Sequence, residues 1–559
     1  MELVVRVATS QVCPCPGNVT KNLQQMLCAL RKAQEQNCEL LVFPRWPLTG
    51  TCHPSWLEDF GFFQSHQKAF TQLLSESSGK NTAMVFSTLG FCLPGHSPFE
   101  RVFLVHDGSV CLTDPRSLLF SRGEMVAHVQ VRNEAPAIVF SPPPYPLANL
   151  EITLAAKKYG GGLPQLPSWW NPETSGLPLP RVFANLGGGA EEGVFTGMSM
   201  VQDSSGEVLA CAKPFVEDFL VSEVFVEPLS TLQAKLRGDG SSCGACAPPQ
   251  LLQLPPFPRP EKRENVPAFS GMAKLPDCVE GFQFSALVRG IRDFVVHSGF
   301  QRVVLGLSGG IDSALVATLA TFALGKQNVF GLLMPSTFSS PGSVSDALHL
   351  AENLGIRTFT LPIASVLEEY HQALLPAFSV EAFSLTQQNL QARIRGNLLM
   401  AFANHHQCLV LATGNKSEVA MGYSTLYGDT VGALAPLKDL FKGQVYRLAR
   451  YANKVGKGDW IPENTFQKAP SAELAPGQKD EDSLPPYTIL DEILGHVLDQ
   501  GWDRLQLLHR GYEEEVVDKV LGLLRKNEFK RRQGPPGIPV SGSSFDRSHA
   551  FSLLVPPEM

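Results

Sequence analysis

The segment that most constrains the fold of this chain is the glycine turn Ser308 to Ser313, which reads SGGIDS. Before it, Arg302 to Leu307 is short and rich in β-branched residues, which predicts a strand. After it, Ser313 to Leu324 is apolar and rich in alanine, which predicts a helix. A glycine turn that opens a helix lets backbone N–H groups approach an anion at the positive end of the helix dipole. The pattern therefore predicts a phosphate-binding loop in an α/β domain.

The side chains of this turn suit contact with a polyphosphate. Gly309 and Gly310 let the backbone come close, and the hydroxyl groups of Ser308 and Ser313 can donate to phosphate oxygens. Asp312 adds a carboxylate beside the same anion, which is repulsive unless a divalent cation bridges the two groups. We therefore expect Mg²⁺ at Asp312. A tight structural turn is the alternative that these residues leave open.

Composition argues against several other classes of protein. The chain has 559 residues with 46 basic and 53 acidic side chains, so its net charge of -7 gives no general attraction to nucleic acid or to an anionic membrane. No apolar run approaches the roughly 18 residues that a membrane-spanning helix needs. The first residues lack the pattern of a secretory signal. We expect a cytoplasmic protein of more than one domain, with neither nucleic acid nor a membrane as partner.

Two α/β halves are predicted on either side of a segment rich in proline and charge. That segment covers residues 251–275 and is unsuited to a helix or a central strand, so we interpret it as a linker between residues 1–250 and residues 276–559. The alternation of elements predicts a layered α/β domain followed by a doubly wound parallel sheet. Beyond the strand and helix around the glycine turn, the expected strands are Val4 to Thr9, Leu40 to Phe43, Ala83 to Leu89, Asn328 to Met334, Arg357 to Leu361 and Cys408 to Ala412, with an early helix at Asn18 to Gln36.

The SGGIDS turn after a strand resembles the pyrophosphate loop of the N-type ATP pyrophosphatases, which split ATP into AMP and pyrophosphate to activate a substrate. Further segments resemble the NAD synthetases of that superfamily. They are residues 334–347, 389–397, 413–418, 422–429, 470–474 and 478–487. The resemblance covers roughly Leu275 to Gly537. It implies a fold of the ATP pyrophosphatase type, ATP and Mg²⁺ as cofactors, deamido-NAD and ammonia as further substrates, and a homo-oligomer of at least two chains.

The same resemblance assigns roles to single residues. It places Lys442 and Ser471 at the phosphates of ATP. It places Asn389, Tyr427 and Asp429 in the pocket for deamido-NAD. Taken alone, Lys442 would equally suit the surface of the protein.

Physical arguments extend the candidate site. Thr413 follows an apolar run, so it is expected at the carboxyl end of a strand, where open α/β sheets bind ligands. Glu418 can share Mg²⁺ with Asp312, because a hard cation accepts two carboxylates plus phosphate oxygens; the alternative is an ordinary helix carboxylate. Arg393, with Arg395 on a predicted helix, can pair with phosphate or face solvent.

The implied chemistry needs such a site. A carboxylate resists attack by ammonia, because delocalised charge shields its carbon and oxide is a poor leaving group. Attack of the nicotinate carboxylate on the α-phosphorus of ATP would give an acyl-adenylate and pyrophosphate, and ammonia would then displace AMP. We expect Asp312, Glu418 and Lys442 to be catalytic, because the two carboxylates would hold Mg²⁺, and Mg²⁺, Lys442 and the N–H groups of the glycine loop would stabilise the departing pyrophosphate. The charged run Gln478 to Ser483 is expected to be a lid over the site or an ordinary solvated loop.

The N-terminal half carries a second resemblance with a difference. Leu41 to Gly50 resembles the strand-end segment of the nitrilase-type amidases, which form the glutaminase domain of glutamine-dependent NAD synthetases and have an αββα layered fold. In that family the residue after Phe-Pro is the glutamate general base. Here it is Arg45, whose guanidinium cannot accept a proton. The family's lysine and nucleophilic cysteine are missing as well, because no lysine lies between positions 80 and 157 and no cysteine between positions 111 and 211.

These losses predict a degenerate glutaminase domain joined to a synthetase that uses free ammonia. Two alternatives remain open. One is a glutamine-dependent enzyme with a rebuilt amidase site, for which Cys52 or Cys92 could supply the thiol. The other is a pseudoenzyme that binds nucleotides and regulates an active partner. The intact SGGIDS turn, Glu418 and Lys442 argue against a pseudoenzyme.

Overall fold

A computed structural model gives the fold of the chain. It describes residues 3–51, 56, 59–89, 100–112, 117–122, 125–131, 150–164, 179–190, 193–227, 252–254, 271–380, 384–456 and 458–546. The chain forms two compact units. The first consists of residues 1–158, 164–190 and 194–276, and the second of residues 159–163, 191–193 and 277–559.

The described part of the first unit is built mainly from strands. They are β1 (Leu3–Gln11), β2 (Leu40–Arg45), β3 (Ala83–Leu89), β4 (Glu100–His106), β5 (Ser109–Leu112), β6 (Ser117–Arg122), β7 (Met125–Val131), β8 (Leu150–Ala155), β9 (Arg181–Asn185), β10 (Gly187–Ala190), β11 (Gly193–Thr196), β12 (Met200–Gln202), β13 (Val208–Cys211), β14 (Asp218–Val226) and β15 (Leu252–Leu254). Two helices accompany them, α1 (Val19–Glu35) and α2 (Phe60–Ser77).

These strands form two large sheets. The six-stranded sheet has the order β14-β1-β2-β3-β4-β5, with β1, β2 and β3 parallel. The seven-stranded sheet has the order β13-β12-β9-β8-β7-β6-β15, with β7, β8 and β9 parallel. Its last strand, β15, lies inside the segment predicted to be a linker and pairs with β6. These three residues form an edge strand, where only one neighbour is needed, and the prediction for this segment excluded only a helix or a central strand.

Side chains of β2 show how the layers form. Leu40 and Val42 join a core that contains residues of both sheets, so the two sheets pack face to face. Leu41 and Phe43 point the other way and join a core shared with α1 and α2. Because successive side chains of a strand alternate between its faces, a continuous apolar strand can serve both cores. This is the layered α/β arrangement predicted from the sequence.

The described part of the second unit combines four strands with a larger number of helices. The strands are β16 (Val303–Gly306), β17 (Val329–Leu333), β18 (Arg357–Thr360) and β19 (Leu409–Val410). The helices are α3 (Val279–His297), α4 (Ile311–Leu324), α5 (Pro341–Leu354), α6 (Ala364–Leu374), α7 (Leu385–His406), α8 (Lys416–Met421), α9 (Lys442–Gly456), α10 (Glu463–Gln467), α11 (Tyr487–Gln500), α12 (Arg504–Arg510), α13 (Glu514–Lys526) and α14 (Glu528–Arg531).

The four strands form one parallel sheet with the order β18-β17-β16-β19. The chain moves outward from β16 to β17 and β18, and then returns to the other side of β16 with β19. This reversal is a topological switch point, and open α/β sheets bind ligands at the carboxyl ends of the strands beside it. The predicted parallel sheet is confirmed, and all four of its predicted strands are present in shorter form. No helix of the described residues is long and apolar enough to span a bilayer.

Candidate active site

The glycine turn lies at the carboxyl end of β16, as predicted. Gly309 has a φ of 78°, in the region that favours glycine, and an added Cβ there would collide with the carbonyl oxygen of Ser343. Gly310 is the N-cap of α4 and its N–H donates to Ser308 Oγ at 3.2 Å. Ser313 is buried and its hydroxyl donates to Gly310 O at 3.0 Å. Ser313 therefore stabilises the shape of the loop, while the side of the loop that carries Ser308 is exposed.

On the other side of the switch point, the segment after β19 carries Thr413 and Glu418. Asn415 begins helix α8, and its side chain forms a capping box with Glu418, because Glu418 N donates to Asn415 Oδ1 at 3.1 Å. The amide group of Asn415 also donates to Asp312 Oδ1 at 2.9 Å. The side chain of Asn415 thus contacts both Asp312 and the helix start that carries Glu418, and these two acids follow neighbouring strands of the sheet. The sequence analysis missed this residue, although an asparagine three positions before a glutamate is a recognisable helix start.

Lys442 completes the cluster from the first turn of α9. Its ammonium group lies 2.6 Å from Asp312 Oδ2 and 3.1 Å from Glu418 Oε1. The lysine is only 4% exposed, so it is not a surface residue. Its backbone N–H donates to Ser417 Oγ at 3.0 Å, which joins the start of α9 to α8. The structure therefore brings together the three residues predicted to be catalytic.

Burial and charge control protonation in this cluster. Burial raises the pKa of Glu418 to about 7, against the attraction of Lys442 and with added repulsion from Asp312 and Asp480. Burial alone would lower the pKa of Lys442, but Asp312 and Glu418 outweigh it, and the pKa lies above its usual value. Lys442 therefore remains an ammonium group at neutral pH.

The donor set fits a hard divalent cation. Asp312 and Glu418 direct carboxylate oxygens toward the same cationic group, which is the arrangement that Mg²⁺ uses when substrate phosphates supply further ligands. Within the described residues, no three His, Cys, Asp or Glu side chains are gathered as a complete ligand set. A cation held here would therefore need oxygens from phosphate and water as well.

A third carboxylate, Asp480, lies near this cluster. It is 4% exposed and begins the short 3₁₀ helix Asp480–Asp482 inside the predicted lid. Tyr487 donates its hydroxyl to Asp480 Oδ2 at 2.9 Å, and the ring of Tyr487 lies 5.3 Å from Lys442 Nζ. Burial raises the pKa of Asp480, and the Tyr487 hydrogen bond and Lys442 oppose that rise. The burial of this acid was not predicted, because it stands in a run of charged residues.

Ser471 lies beside a second cluster of polar side chains, which consists of Glu473, Ser343 and Lys468. Its hydroxyl donates to Gln478 O at 2.5 Å, and it accepts from Glu473 N at 3.1 Å. Glu473 in turn accepts from Ser343 Oγ at 2.7 Å and from Lys468 Nζ at 2.7 Å. Because Ser343 lies against Gly309, this group adjoins the glycine turn. Neither Lys468 nor Glu473 was singled out from the sequence.

The residues predicted for deamido-NAD form a separate group. Thr425 joins two of them, because its hydroxyl donates to Asn389 Oδ1 at 2.7 Å and its N–H donates to Asp429 Oδ1 at 2.6 Å. Tyr427 is 63% exposed at the tip of the same turn. Arg393 Nε donates to Leu426 O at 3.2 Å, so Arg393, which was expected to pair with phosphate, lies beside this group.

The neighbouring Arg395 lies beside a different segment. Its Nε donates to Met334 O at 3.0 Å, at the start of the segment that leads to Ser343. Burial lowers the pKa of Arg395 to about 10, and Glu473 opposes that shift. Two arginines that are two positions apart on a helix point to different sides, which the sequence spacing already implied.

In the first unit, Arg45 is held in place by a carboxylate. Its Nε and Nη2 donate to the two oxygens of Glu100 at 3.0 Å and 2.5 Å. Ser87 donates to Glu100 at 2.5 Å, and the guanidinium lies 4.0 Å from the ring centre of Trp46. Arg45 is 7% exposed. A bidentate, buried guanidinium is a structural ion pair and not a base.

One described thiol, Cys211, follows the stretch in which the nucleophilic cysteine was expected. Cys211 is buried, and burial followed by repulsion from Asp218 raises its pKa to about 11, so it stays protonated. Cys52 and Cys92, which were considered as substitutes, lie outside the described residues.

Comparisons with known proteins place this architecture. A model of the NAD synthase family matches residues 283–534. A glutamine-dependent NAD(+) synthetase from Thermotoga maritima is 35% identical over 97% of this chain and 97% of its own length. The chain belongs to the NAD synthetase family. A second glutamine-dependent NAD(+) synthetase, from Acinetobacter baylyi, is 33% identical to this chain over 98% of both chains.

A comparison with solved structures agrees with this family membership. The glutamine-dependent NAD⁺ synthetase of Acinetobacter baumannii, solved in complex with ADP, is 28% identical and superposes with a TM-score of 0.68. The match covers 99% of this chain and 98% of the other. The two-domain NAD synthetase architecture expected from the sequence is thereby confirmed over nearly the whole chain.

Proposed function

We propose that this chain is an ATP-dependent NAD synthetase that amidates deamido-NAD through an acyl-adenylate. The observation that carries the proposal is the convergence of Asp312, Glu418 and Lys442 at the switch point of the parallel sheet. Two carboxylates and one ammonium group, beside a glycine turn, form a site for a cation and a polyphosphate. Family membership and the ADP complex of the Acinetobacter baumannii enzyme support ATP as the nucleotide.

The residues of the chain divide the work. Gly309 offers its backbone N–H group to the phosphates, and Lys442, which stays protonated, donates to oxygens of the departing pyrophosphate. Asp312 and Glu418 would hold Mg²⁺, which when bound offsets part of the negative charge that develops on the phosphates. Asn415 keeps the two carboxylates in register.

The remaining predicted residues bind the other substrate in this proposal. Asn389, Tyr427 and Asp429 surround one turn, and Arg393 lies beside it. That group is held separately from the cation cluster, which allows deamido-NAD and ATP to be bound by different parts of one pocket. Ser471 is proposed to contact phosphate from the segment that adjoins the glycine turn, and Thr413 from the carboxyl end of β19. A homo-oligomer belongs to the same proposal and is tested by light scattering on the purified protein.

The nitrogen donor has two candidates. The names of the relatives that match almost the whole chain support glutamine better than the ammonia-only reaction predicted from the sequence. One observation on this chain favours ammonia: the position of the expected general base holds Arg45, which is locked to Glu100. A glutamine-dependent reaction would therefore need an amidase site that does not use position 45 as a base.

The test offers purified protein deamido-NAD, ATP and Mg²⁺ with either ammonium or glutamine, and measures NAD and AMP. NAD and AMP in equal amounts support the synthetase, and Asp312→Asn should abolish both. Glu481→Gln, an exposed acid of the neighbouring 3₁₀ helix, serves as the control. Product with ammonium alone identifies ammonia as the donor, whereas product with glutamine identifies a working amidase. No product with either donor would contradict the proposal and favour a nucleotide-binding pseudoenzyme.

A further inference from the structure

Lys416 is a buried lysine next to the candidate active site that the reaction does not use. It is 0% exposed. Its ammonium group lies 3.2 Å from Asp439 Oδ1 and donates to Ser541 Oγ at 3.0 Å and Ser543 O at 2.5 Å. The ring of Phe441 lies 4.7 Å away. A charge that is fully removed from water needs such a complete set of partners, because an unpaired buried ion is strongly destabilising.

Asp439 is bound by the C-terminal segment that also contacts Lys416, namely the segment that contains Ser541. It is 1% exposed. Its Oδ2 accepts from Val540 N and Ser541 N, both at 2.7 Å, and its Oδ1 accepts from Ser541 Oγ at 2.7 Å. Lys416, Asp439 and Ser541 therefore form one buried polar cluster, to which each contributes at least two contacts. We call it the Lys416 cluster.

The two ionic members of the Lys416 cluster belong to the two segments that carry catalytic groups. Lys416 is the first residue of α8, two positions before Glu418. Asp439 lies three positions before Lys442, which begins α9. The segments are also joined through the backbone, because Lys416 N donates to Leu440 O at 2.8 Å. The contacts of Lys416 and Asp439 with each other and with the segment around Ser541 therefore help to set the relative position of Glu418 and Lys442.

We propose that Lys416 and Asp439 are positioning residues for the synthetase reaction, and that the segment Ile538 to Asp546 completes the active site by holding them. The segment is anchored at its far end too, because Lys438 Nζ donates to Asp546 Oδ1 at 2.6 Å. The inference rests on the proposed function for its catalytic readout. Its cation-binding readout does not depend on turnover.

The physical reason is the geometry of a shared cation. A cation shared by Asp312 and Glu418 is held tightly only while α8 keeps its position, because a shift of α8 moves the Glu418 oxygens away from those of Asp312. Loss of the Lys416 ammonium would leave Asp439 buried without this ionic partner and would remove one of the side-chain contacts that tie the starts of α8 and α9. Asn389 and Asp429 are held by Thr425, and Tyr427 donates to Gln533, so these residues contact other partners than the Lys416 cluster.

The test compares Lys416→Met, Asp439→Asn and Ser541→Ala, the last removing a single hydroxyl group and therefore suited to a folded protein. Lys454→Met removes an exposed lysine of α9 and controls for charge, and Val520→Ala removes buried apolar atoms of α13 and controls for lower stability. Each full-length variant is assayed for Mn²⁺ affinity without nucleotide, for kcat, for the KM of deamido-NAD and for Tm.

The expected result is a kcat lower by about tenfold and a Mn²⁺ dissociation constant higher by several-fold in the three cluster variants, with the KM of deamido-NAD unchanged. Both controls should keep the wild-type Mn²⁺ affinity, and Val520→Ala should do so at a lowered Tm. The proposal is overturned if Ser541→Ala and Asp439→Asn bind Mn²⁺ as the wild type does, or if Val520→Ala loses Mn²⁺ affinity to the same extent. Wild-type protein that binds Mn²⁺ but makes no NAD would overturn the proposed function and leave the cluster test valid.

Discussion

Asn415 donates to Asp312 through a 2.9 Å hydrogen bond while its own side chain caps the helix that carries Glu418. The two carboxylates come from segments more than a hundred positions apart in the chain. They meet because β16 and β19 are neighbours in the sheet. A single amide group therefore links the fold at the switch point to the geometry of the cation site.

Replacing Asn415 by alanine should affect both stability and turnover. The loss of an N-cap costs about 1 kcal/mol of unfolding free energy. The lost hydrogen bond to Asp312 should in addition lower kcat. Asp503→Ala is the matched control, because Asp503 forms the same kind of capping box on α12 with Gln506. Urea unfolding and steady-state rates are measured on both variants. Equal kcat in the two variants would contradict the role assigned to Asn415.

Lys442→Met should abolish turnover yet strengthen binding of Mn²⁺ to the nucleotide-free protein. The ammonium group satisfies Asp312 and Glu418, so its removal leaves two carboxylates free to bind a cation. Calorimetric titration with Mn²⁺ measures the change, with Lys454→Met as the control for net charge. Weaker Mn²⁺ binding in Lys442→Met would show that the lysine supports the cation site instead of competing for it.

Gly309→Ala should weaken ATP binding by about tenfold or more, because the backbone there has a φ of 78° and the added Cβ meets the Ser343 carbonyl. Gly342→Ala lies on α5, and its Cβ would have no atom nearer than 3.9 Å, so it should bind ATP as the wild type does. Equilibrium binding of a fluorescent ATP analogue compares them. The prediction fails if the two variants bind the analogue equally well.

The first unit should lose stability as pH falls, because of His66. Burial lowers the pKa of His66 from 6.5 to about 4. The unfolded chain binds this proton more readily, so the contribution is present above pH 6.5 and is lost as pH falls toward 4, by up to about 3 kcal/mol. Hydrogen exchange in β3, whose Thr88 contacts the ring, reports it.

His66→Gln should flatten the pH dependence of that exchange between pH 6.5 and pH 4. His349→Gln, which changes an exposed histidine of the second unit, should leave the dependence as it is. A steep dependence that survives in His66→Gln would assign it to other groups.

Arg45→Met should destabilise the first unit by about 3 kcal/mol, because Glu100 would be left buried without its cation. Arg45→Met combined with Glu100→Gln should recover part of that loss. If ammonia is the donor, NAD formation from ammonium should survive in both variants under conditions where they remain folded. Loss of this activity in the folded double variant would mean that Arg45 takes part in the reaction.

The sequence was most informative where local geometry and chemistry coincide. The SGGIDS turn predicted a strand, a loop and a helix, and each was found within a few residues of its expected bounds. Lys442 and Glu418 came from family motifs, and only the fold shows why they meet. Asn415 was not predicted as a site residue because it carries no charge, although its capping pattern is recognisable in the sequence.

Other features could not be read from one sequence. Asp480 stands in a run of charged residues that is otherwise exposed, and its burial depends on Tyr487 and Lys442, which come from separate helices. The different surroundings of Arg393 and Arg395 depend on which face of α7 meets the sheet. The strand β15 was taken for linker because proline and charge hide a three-residue edge strand.

The buried contact between Lys416 and Ser541 also bears on how the protein is made. During synthesis Lys416 leaves the ribosome 125 residues before the serine that shares its buried cluster. Until the later segment emerges, the lysine has an incomplete set of partners and favours exposure to water. The second unit can therefore form its parallel sheet early, but the Lys416 cluster can form only after translation has passed residue 546. Nascent chains that are stalled before that point should contain the parallel sheet without a completed catalytic centre.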